Sequence, residues 1–223
     1  MFVLLVNDDG KDSERLLFAR EVLQKHGEVV TVAPLHEQSG KGMAISTGDL
    51  PYEKITDDFY AVDGTPVDCV NFALFGLNLR PDYIVSGVNR GYNLGIDTMY
   101  SGTVGAALQG YHHGYRALAF SGDYKGDKQV RKLFEKTFLQ LVDEGMPSPD
   151  YTLNVNFPRE DVHRLKGIKM TKRYFGKQDA QGRLTLGHFK ITRERRPNPL
   201  DEAYDVQAVR DGYVSVSKIA FKD

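Results

Sequence analysis

Apolar and polar residues alternate along the first half of the chain in blocks typical of strands followed by helices. The apolar run Phe2–Val6 predicts a buried strand, and the β-branched segment Glu28–Ala33 predicts a second one. Further strand signals, at Asp82–Ser86 and Arg116–Phe120, are each followed by an apolar stripe at helical spacing. This alternation predicts an α/β fold with a doubly wound, mostly parallel, Rossmann-like sheet.

The C-terminal part loses this regularity. Short β-like pieces occur at Lys166–Thr171 and Tyr213–Ser217. The segment between them, Lys172–Asp201, is rich in charged residues, glycine and proline, and such a composition does not build its own core. We therefore expect residues 1–158 to form the α/β core. Residues 159–223 should form a β-rich arm or hairpin with a returning strand segment, packed on a partner subunit.

Composition narrows the class of protein. The chain has 223 residues, of which 41% are hydrophobic and 26% charged, as in ordinary globular proteins. A net charge of -1 provides no basic field for a nucleic-acid polymer or a membrane surface, so we expect neither as a partner.

The single cysteine, Cys69, excludes an internal disulfide and has apolar neighbours typical of a structural thiol. The opening apolar run is too short for a signal peptide, so we expect a cytoplasmic location.

Polar residues follow the first predicted strand directly. Asn7, Asp8, Asp9 and Gly10 come immediately after Val6. The carboxyl ends of parallel strands form the edge at which ligands bind in open α/β sheets. Adjacent carboxylates repel each other and are tolerated most easily beside a cation. Taken alone, the motif is equally compatible with a metal site and with a solvated loop that carries two acids.

Three more polar clusters fall at predicted strand ends or helix starts. They are Gln38–Gly40, Ser86–Gly95 and Tyr100–Ala107. Together with the acid pair they supply hydroxyl, amide and carboxylate oxygens along one edge of one sheet. Such hard oxygen ligands suit Mg²⁺ or Mn²⁺ rather than zinc.

The cluster Tyr100–Ala107 runs into a predicted helix. Ser101 and Thr103 are good capping residues, and Gly102 would let a ligand approach the backbone. Free N–H groups at a helix start favour an anion such as phosphate. Alone, the cluster is more typical of a well-capped helix that binds nothing, but an adjacent metal site reverses this preference and favours phosphoryl transfer.

These motifs, in this order, resemble the stationary-phase survival protein SurE family of metal-dependent nucleotidases. The resemblance spans nearly the whole chain and departs from the family where Lys11–Arg15 replaces the usual Ala-Pro-Gly turn. The matching segments are Asn7–Gly10, Gln38–Gly40, Gly64–Val70, Ser86–Gly95 and Tyr100–Ala107.

The resemblance implies a phosphatase that converts nucleoside monophosphates to nucleoside and phosphate, at the 5′ or 3′ position. Some members of the family also act on short polyphosphate. It implies one Mg²⁺ or Mn²⁺ ion per subunit and a homodimer or homotetramer. The implied metal ligands are Asp8, Asp9, Ser39 and Asn89. The implied phosphate-binding residues are Asn93, Ser101, Gly102 and Thr103. For catalysis we expect Asp8, Asp9 and Asn93 to act, with Asp9 orienting an attacking water.

The main alternative is a Mg²⁺-binding receiver-like signalling domain of a phosphorelay. A receiver also carries an acid pair after its first strand. It needs a phosphorylatable aspartate at the end of a central strand, where this chain has Ser86–Asn89 instead. The chain is also much longer than a receiver.

Overall fold

The structure is a computed structural model that describes residues 1–176, 178–185, 187–195, 201 and 203–221. The strands of the described residues are β1 (Phe2–Val6), β2 (Glu28–Pro34), β3 (Tyr52–Thr56), β4 (Phe59–Val62), β5 (Tyr83–Arg90), β6 (Arg116–Gly122), β7 (Thr152–Asn156), β8 (Ile168–Met170), β9 (Gln178–Thr185), β10 (His188–Arg195) and β11 (Val214–Ile219). The α-helices are α1 (Glu14–Gln24), α2 (Pro66–Asn71), α3 (Gly102–His112), α4 (Lys128–Asp143) and α5 (Asp205–Arg210). A π-helical turn, Phe72–Gly76, extends α2, and a 3₁₀ helix, Gly95–Met99, precedes α3.

Nine strands form one sheet in the order β3-β4-β2-β1-β5-β6-β7-β11-β8. Neighbouring strands are parallel except at β3–β4 and β7–β11. The direction of strand addition changes at β1. The strands β2, β3 and β4 lie on one side of β1, and β5, β6 and β7 lie on its other side. The structure confirms the predicted doubly wound, mostly parallel sheet, and such a reversal places a crevice at the carboxyl ends of the central strands.

Two apolar layers cover the sheet because successive strand side chains point to opposite faces. Val3 and Leu5 of β1 pack with α1 and α4, whereas Leu4 and Val6 pack with α2 and α3. Cys69 is buried in the second layer, as its apolar neighbours predict. The strands β1, β5 and β6 are buried on both faces. Because they are parallel neighbours, their polar carboxyl ends lie at the same edge of the sheet.

Two features of the central region differ from the sequence expectation. The strand predicted to end at Ser86 continues to Arg90, with a register irregularity in its pairing to β6. Gly87 lies there with φ +128°, and a Cβ atom would collide with the carbonyl oxygen of Phe120. Only glycine allows this approach of two central strands. The glycine-rich loop expected after it contains the 3₁₀ helix, which local periodicity does not signal.

The C-terminal segment divides into two parts. Strands β8 and β11 join the main sheet, whereas β9 and β10 form a separate antiparallel hairpin. In the hairpin, Leu184 is paired with Phe189 and Gly182 with Ile191. The hairpin lies within the charged segment Lys172–Asp201 and carries exposed apolar side chains of its own.

Candidate active site

Asp8 lies beyond the end of β1 and is buried, with 3% of its surface exposed. The Thr103 hydroxyl donates a hydrogen bond of 2.6 Å to Asp8 Oδ1. Burial and the nearby charge of Asp9 raise the pKa of Asp8 to about 6, although hydrogen bonds from Thr103 oppose the shift. Asp8 is therefore a carboxylate whose ionised form lacks a countercharge, and a cation would supply one.

Asp9 lines a cavity next to the one that Asp8 lines. Its Oδ2 accepts a hydrogen bond of 3.1 Å from the backbone N–H of Arg90. Burial raises the pKa of Asp9, while that N–H and the charge of Arg15 oppose the rise. Asp9 lines a cavity of about 300 Å³ together with Arg15, Arg90 and Asp127.

Asn89 and Ser39 provide the neutral oxygens of the predicted metal site. Asn89, near the end of β5, donates through Nδ2 to the carbonyl of Gly91 at 2.9 Å, which leaves its side-chain oxygen as an acceptor. Ser39 lies in the exposed loop after β2, and its hydroxyl donates to Glu37 Oε1 at 2.5 Å. Both side chains retain lone pairs that can bind a cation.

A cleft of about 370 Å³ brings together most of the residues predicted from the sequence. The predicted residues that line it are Asp8, Ser39, Asn89, Asn93 and Ser101. Arg90, Tyr92 and Tyr100 complete much of the remaining wall. Three predicted residues do not line this cleft: Asp9 faces the neighbouring cavity, and Gly102 and Thr103 are buried beside Asp8.

The start of α3 forms one wall of the cleft. The Ser101 side chain accepts a hydrogen bond of 3.1 Å from the Val104 N–H and so caps the helix. Gly102 is buried, and a Cβ atom there would lie 2.9 Å from Asp8 Cβ and 3.0 Å from Pro66 Cγ. The sequence suggested that this glycine makes room for a ligand. In the structure it makes room for the Asp8 side chain.

Thr103 has a different place from the one expected. The sequence assigned it to phosphate, but its hydroxyl hydrogen is donated to Asp8 and its side chain is fully buried. A backbone hydrogen bond from Thr103 also lowers the pKa of Asp8. The structure therefore makes Thr103 the residue that orients Asp8, since a hydroxyl has only one hydrogen to donate.

Asn93 is held by polar side chains of β6 and β7. Its N–H donates to Asn156 Oδ1 at 2.9 Å, and its Nδ2 donates to the Ser121 hydroxyl at 2.8 Å. Its carbonyl accepts from Asn154 Nδ2 at 2.9 Å and from Asn156 Nδ2 at 3.1 Å. Four hydrogen bonds thus hold this one residue, which leaves the second Nδ2 hydrogen of Asn93 for a ligand in the cleft.

Sequence reasoning missed several residues of this network. The charges of Arg15 and Glu37 both act on Asp9, but neither residue belongs to a motif that the sequence analysis singled out. Asn154 and Asn156 carried a signal, because alternate asparagines in an apolar strand would be costly to bury without partners. Arg15 carried none, since a charged residue in the first turn of a helix is ordinarily exposed.

The described residues fit a divalent cation. Among them, no Lys or Arg side chain forms an ion pair with Asp8 or Asp9. The side-chain oxygen of Asn7, directly before the acids, is buried without a hydrogen-bond partner. The available donors are two carboxylates, a hydroxyl and an amide oxygen, which is the chemistry of a hard cation. No group of three or more His, Cys, Asp or Glu is placed to bind a metal in the described ranges, as expected for a site with two acids.

The chain was compared with known proteins. The family model of Survival protein SurE matches residues 3–179. The chain belongs to the SurE family. A protein of Polaromonas naphthalenivorans named 5′-nucleotidase SurE is 35% identical, over 98% of this chain and 91% of its own length. An Aquifex aeolicus protein of the same name is 37% identical, over 97% of this chain and 90% of its own length.

A SurE structure has the same fold. The crystal structure of the SurE protein from Aquifex aeolicus superposes with a TM-score of 0.84 at 36% identity, covering 99% of this chain and 93% of that chain. The family match confirms the resemblance found in the motifs, and none of these similarities is to a receiver domain. Within the described part of this SurE-family chain, no helix has the length and apolarity needed to cross a membrane.

Proposed function

We propose that this chain is a divalent-metal-dependent phosphatase that hydrolyses nucleoside monophosphates to nucleoside and phosphate. One observation carries the proposal: the Thr103 hydroxyl in the first turn of α3 donates to the buried Asp8 carboxylate at the end of β1. A cation-binding acid and an anion-binding helix start therefore share one wall of one cleft. The relatives named 5′-nucleotidase support the substrate class.

We assign one metal ion per subunit, Mg²⁺ or Mn²⁺, to Asp8, Asp9, Ser39 and Asn89. Asp8, Ser39 and Asn89 line the cleft, and Asp9 lies beside it. When bound, the ion would supply positive charge that polarises the phosphoryl oxygens and lowers the pKa of a bound water. Thr103 orients Asp8, and the Arg90 N–H orients Asp9, so both carboxylates are fixed before a ligand arrives.

We assign the phosphate to Asn93, Ser101 and the backbone N–H of Gly102. Ser101 caps α3 as an acceptor, so its own hydroxyl hydrogen is free to donate. The N–H at the first helical position has no carbonyl to bond within the helix. These donors would hold the negative charge on the equatorial phosphoryl oxygens in the transition state.

We propose attack by water, with Asp9 as the orienting base. The water oxygen forms the new P–O bond, the ester P–O bond breaks, and the proton lost by the water is balanced by one gained at the leaving nucleoside oxygen. Asp9 is suited to this role because one oxygen is anchored to Arg90 and the other is not. Asn93, held by four hydrogen bonds, would steady the phosphoryl group without moving itself.

We also propose that the chain works as a homodimer or homotetramer joined through its hairpin. Leu184, Phe189 and Ile191 share one face of the hairpin, with 80%, 66% and 42% of their surfaces exposed. A two-stranded hairpin alone is marginally stable in water, so an apolar face of this kind favours packing on a second copy.

The test of the activity is phosphate release from a panel of nucleoside 5′- and 3′-monophosphates, with short polyphosphate and a sugar phosphate beside them. The assay is run with EDTA, with Mg²⁺ and with Mn²⁺. We expect release from nucleoside monophosphates with added metal only. Release from the sugar phosphate alone would contradict the substrate class, and full release in EDTA would contradict the metal.

A further inference from the structure

Arg15 is a buried cation in the first turn of α1, with 3% of its surface exposed. Its Nε donates to Asp127 Oδ1 at 2.7 Å. Its Nη1 donates to the carbonyl of Asn89 at 2.7 Å, and its Nη2 donates to the carbonyls of Asp123 at 2.5 Å and Gly126 at 2.8 Å. One guanidinium thus joins α1, the end of β5 and the loop between β6 and α4.

A simple ion pair does not explain this arrangement. Only one of the four hydrogen bonds goes to a carboxylate, and the other three go to backbone carbonyls. An arginine fork can bond to several acceptors at fixed angles, which a lysine ammonium cannot do. The guanidinium is therefore built into the fold as a brace for backbone, with Asp127 as its countercharge.

One of the braced carbonyls belongs to the active site. Asn89 is held at its carbonyl by Arg15 and at its side chain by the Gly91 carbonyl. Arg15 also lines the cavity that Asp9 faces. It lies in the segment Lys11–Arg15, where this chain departs from the family pattern. Arg15, which lies outside the matching motifs, thus holds Asn89, which lies within one of them.

We propose that Arg15 is a positioning residue of the active site, which holds the Asn89 backbone and thereby presents the Asn89 side chain to the metal ion. This inference rests on the proposed function, because it takes Asn89 as a metal ligand. Arg15 does not touch the substrate. Its effect reaches the reaction only through the residue that it holds.

The decisive variant is Arg15→Lys, which keeps the positive charge but cannot reach all four acceptors. We expect its dissociation constant for Mn²⁺ to rise about tenfold, as for other groups that orient a metal ligand. At saturating Mn²⁺ most of the turnover with a nucleoside monophosphate should return. A general loss of stability would lower turnover at every Mn²⁺ concentration. A positioning role lowers the Mn²⁺ affinity and leaves most of the turnover at saturating Mn²⁺.

Arg20→Met serves as the control. It removes another arginine of α1, which pairs with Asp58 at 2.6 Å and does not contact the cleft. This variant should lower the temperature of unfolding modestly and leave the Mn²⁺ dissociation constant unchanged.

The experiment measures Mn²⁺ binding to the apo chain by the electron paramagnetic resonance of free Mn²⁺, with circular dichroism to monitor folding. A folded Arg15→Lys chain with the parent's Mn²⁺ affinity would overturn the inference and leave the proposed function intact. A parent chain that binds no Mn²⁺ would overturn the proposed metal site and the inference with it. Should Arg15→Lys not fold, Arg15→Gln, which is neutral and keeps an N–H donor, is judged by the same criterion.

Discussion

The carboxylate of Asp8 joins the proposed metal site to the start of α3. It is buried, it accepts from Thr103, and it lies near the charge of Asp9. Neutral hydrogen-bond donors compensate only part of the energy needed to bury a charge, so the pKa stays raised. An unbalanced charge in the metal-free chain is the physical reason to expect a cation at this place.

This imbalance predicts how stability depends on pH. The pKa of Asp8 is about 6 in the folded metal-free chain, against 3.8 ordinarily. Between these values the folded chain binds a proton that the unfolded chain has released, so the free energy of unfolding falls as the pH rises from about 4 to about 6 and stays lower above it. The decrease is on the order of 3 kcal/mol. In Asp8→Asn it should be absent.

The measurement is denaturation by urea in EDTA at several pH values, for the parent and Asp8→Asn. We expect similar stability near pH 4 and a more stable variant at pH 7. Excess Mn²⁺ should then stabilise the parent and not the variant, because a ligand that binds only the folded state adds to its stability. Parallel curves for the two chains from pH 4 to pH 7 would contradict the account of Asp8.

Among the elements, β1 and α3 form the site together. The alternation of β1 directs Val6 and Asp8 towards α3, and Asp9 towards α1. The first turn of α3 fits closely against Asp8 because Gly102 has no side chain. A helix start with a larger residue at this position would push the acid out of place.

Gly102→Ala tests this fit. Its Cβ would lie 2.9 Å from Asp8 Cβ, so we expect a displaced Asp8 with loss of both Mn²⁺ affinity and turnover, about tenfold or more in each. Gly76→Ala is the matched control, because its Cβ would lie 3.3 Å from the Phe72 ring, away from the cleft. Unchanged Mn²⁺ titrations for Gly102→Ala would show that Asp8 tolerates the added methyl.

Local sequence patterns predicted the positions of strands and helices better than they predicted the long-range contacts between side chains. The run Phe2–Val6 and the cap at Ser101 are local signals, and both elements form where they were expected. The exposed strand β3 has no apolar alternation, so no local signal predicted it. Roles that depend on long-range contacts, such as the hydrogen bonds of Thr103 to Asp8 and of Arg15 to Asn89, join residues that only the fold brings together.

For the whole molecule, the hairpin β9–β10 is the part that we propose to pack on a second copy of the chain. Its apolar face consists of Leu184, Phe189 and Ile191, while Lys190 and Thr192 alternate to the other face. An exposed apolar face on a two-stranded sheet is unfavourable in water. Packing it against a second copy of the chain would bury that face.

Phe189→Glu tests the proposed assembly, because it places a charge in the centre of this face. We expect a smaller particle by sedimentation velocity than for the parent chain at the same concentration. Thr192→Glu adds the same charge to the opposite face and should leave the particle size unchanged. If Phe189→Glu sediments as the parent does, the hairpin face is not the interface.

The central claim is that the Asp8 cleft releases phosphate from nucleoside monophosphates with a bound divalent metal. The most direct measurement follows phosphate release from AMP by the EDTA-treated chain as Mn²⁺ is added back, with Asp8→Asn alongside. The account predicts no release without metal, saturable recovery in the parent and, at equal Mn²⁺, at least about a hundredfold less release in the variant. Metal-independent release by the parent, or full recovery by Asp8→Asn, would contradict it.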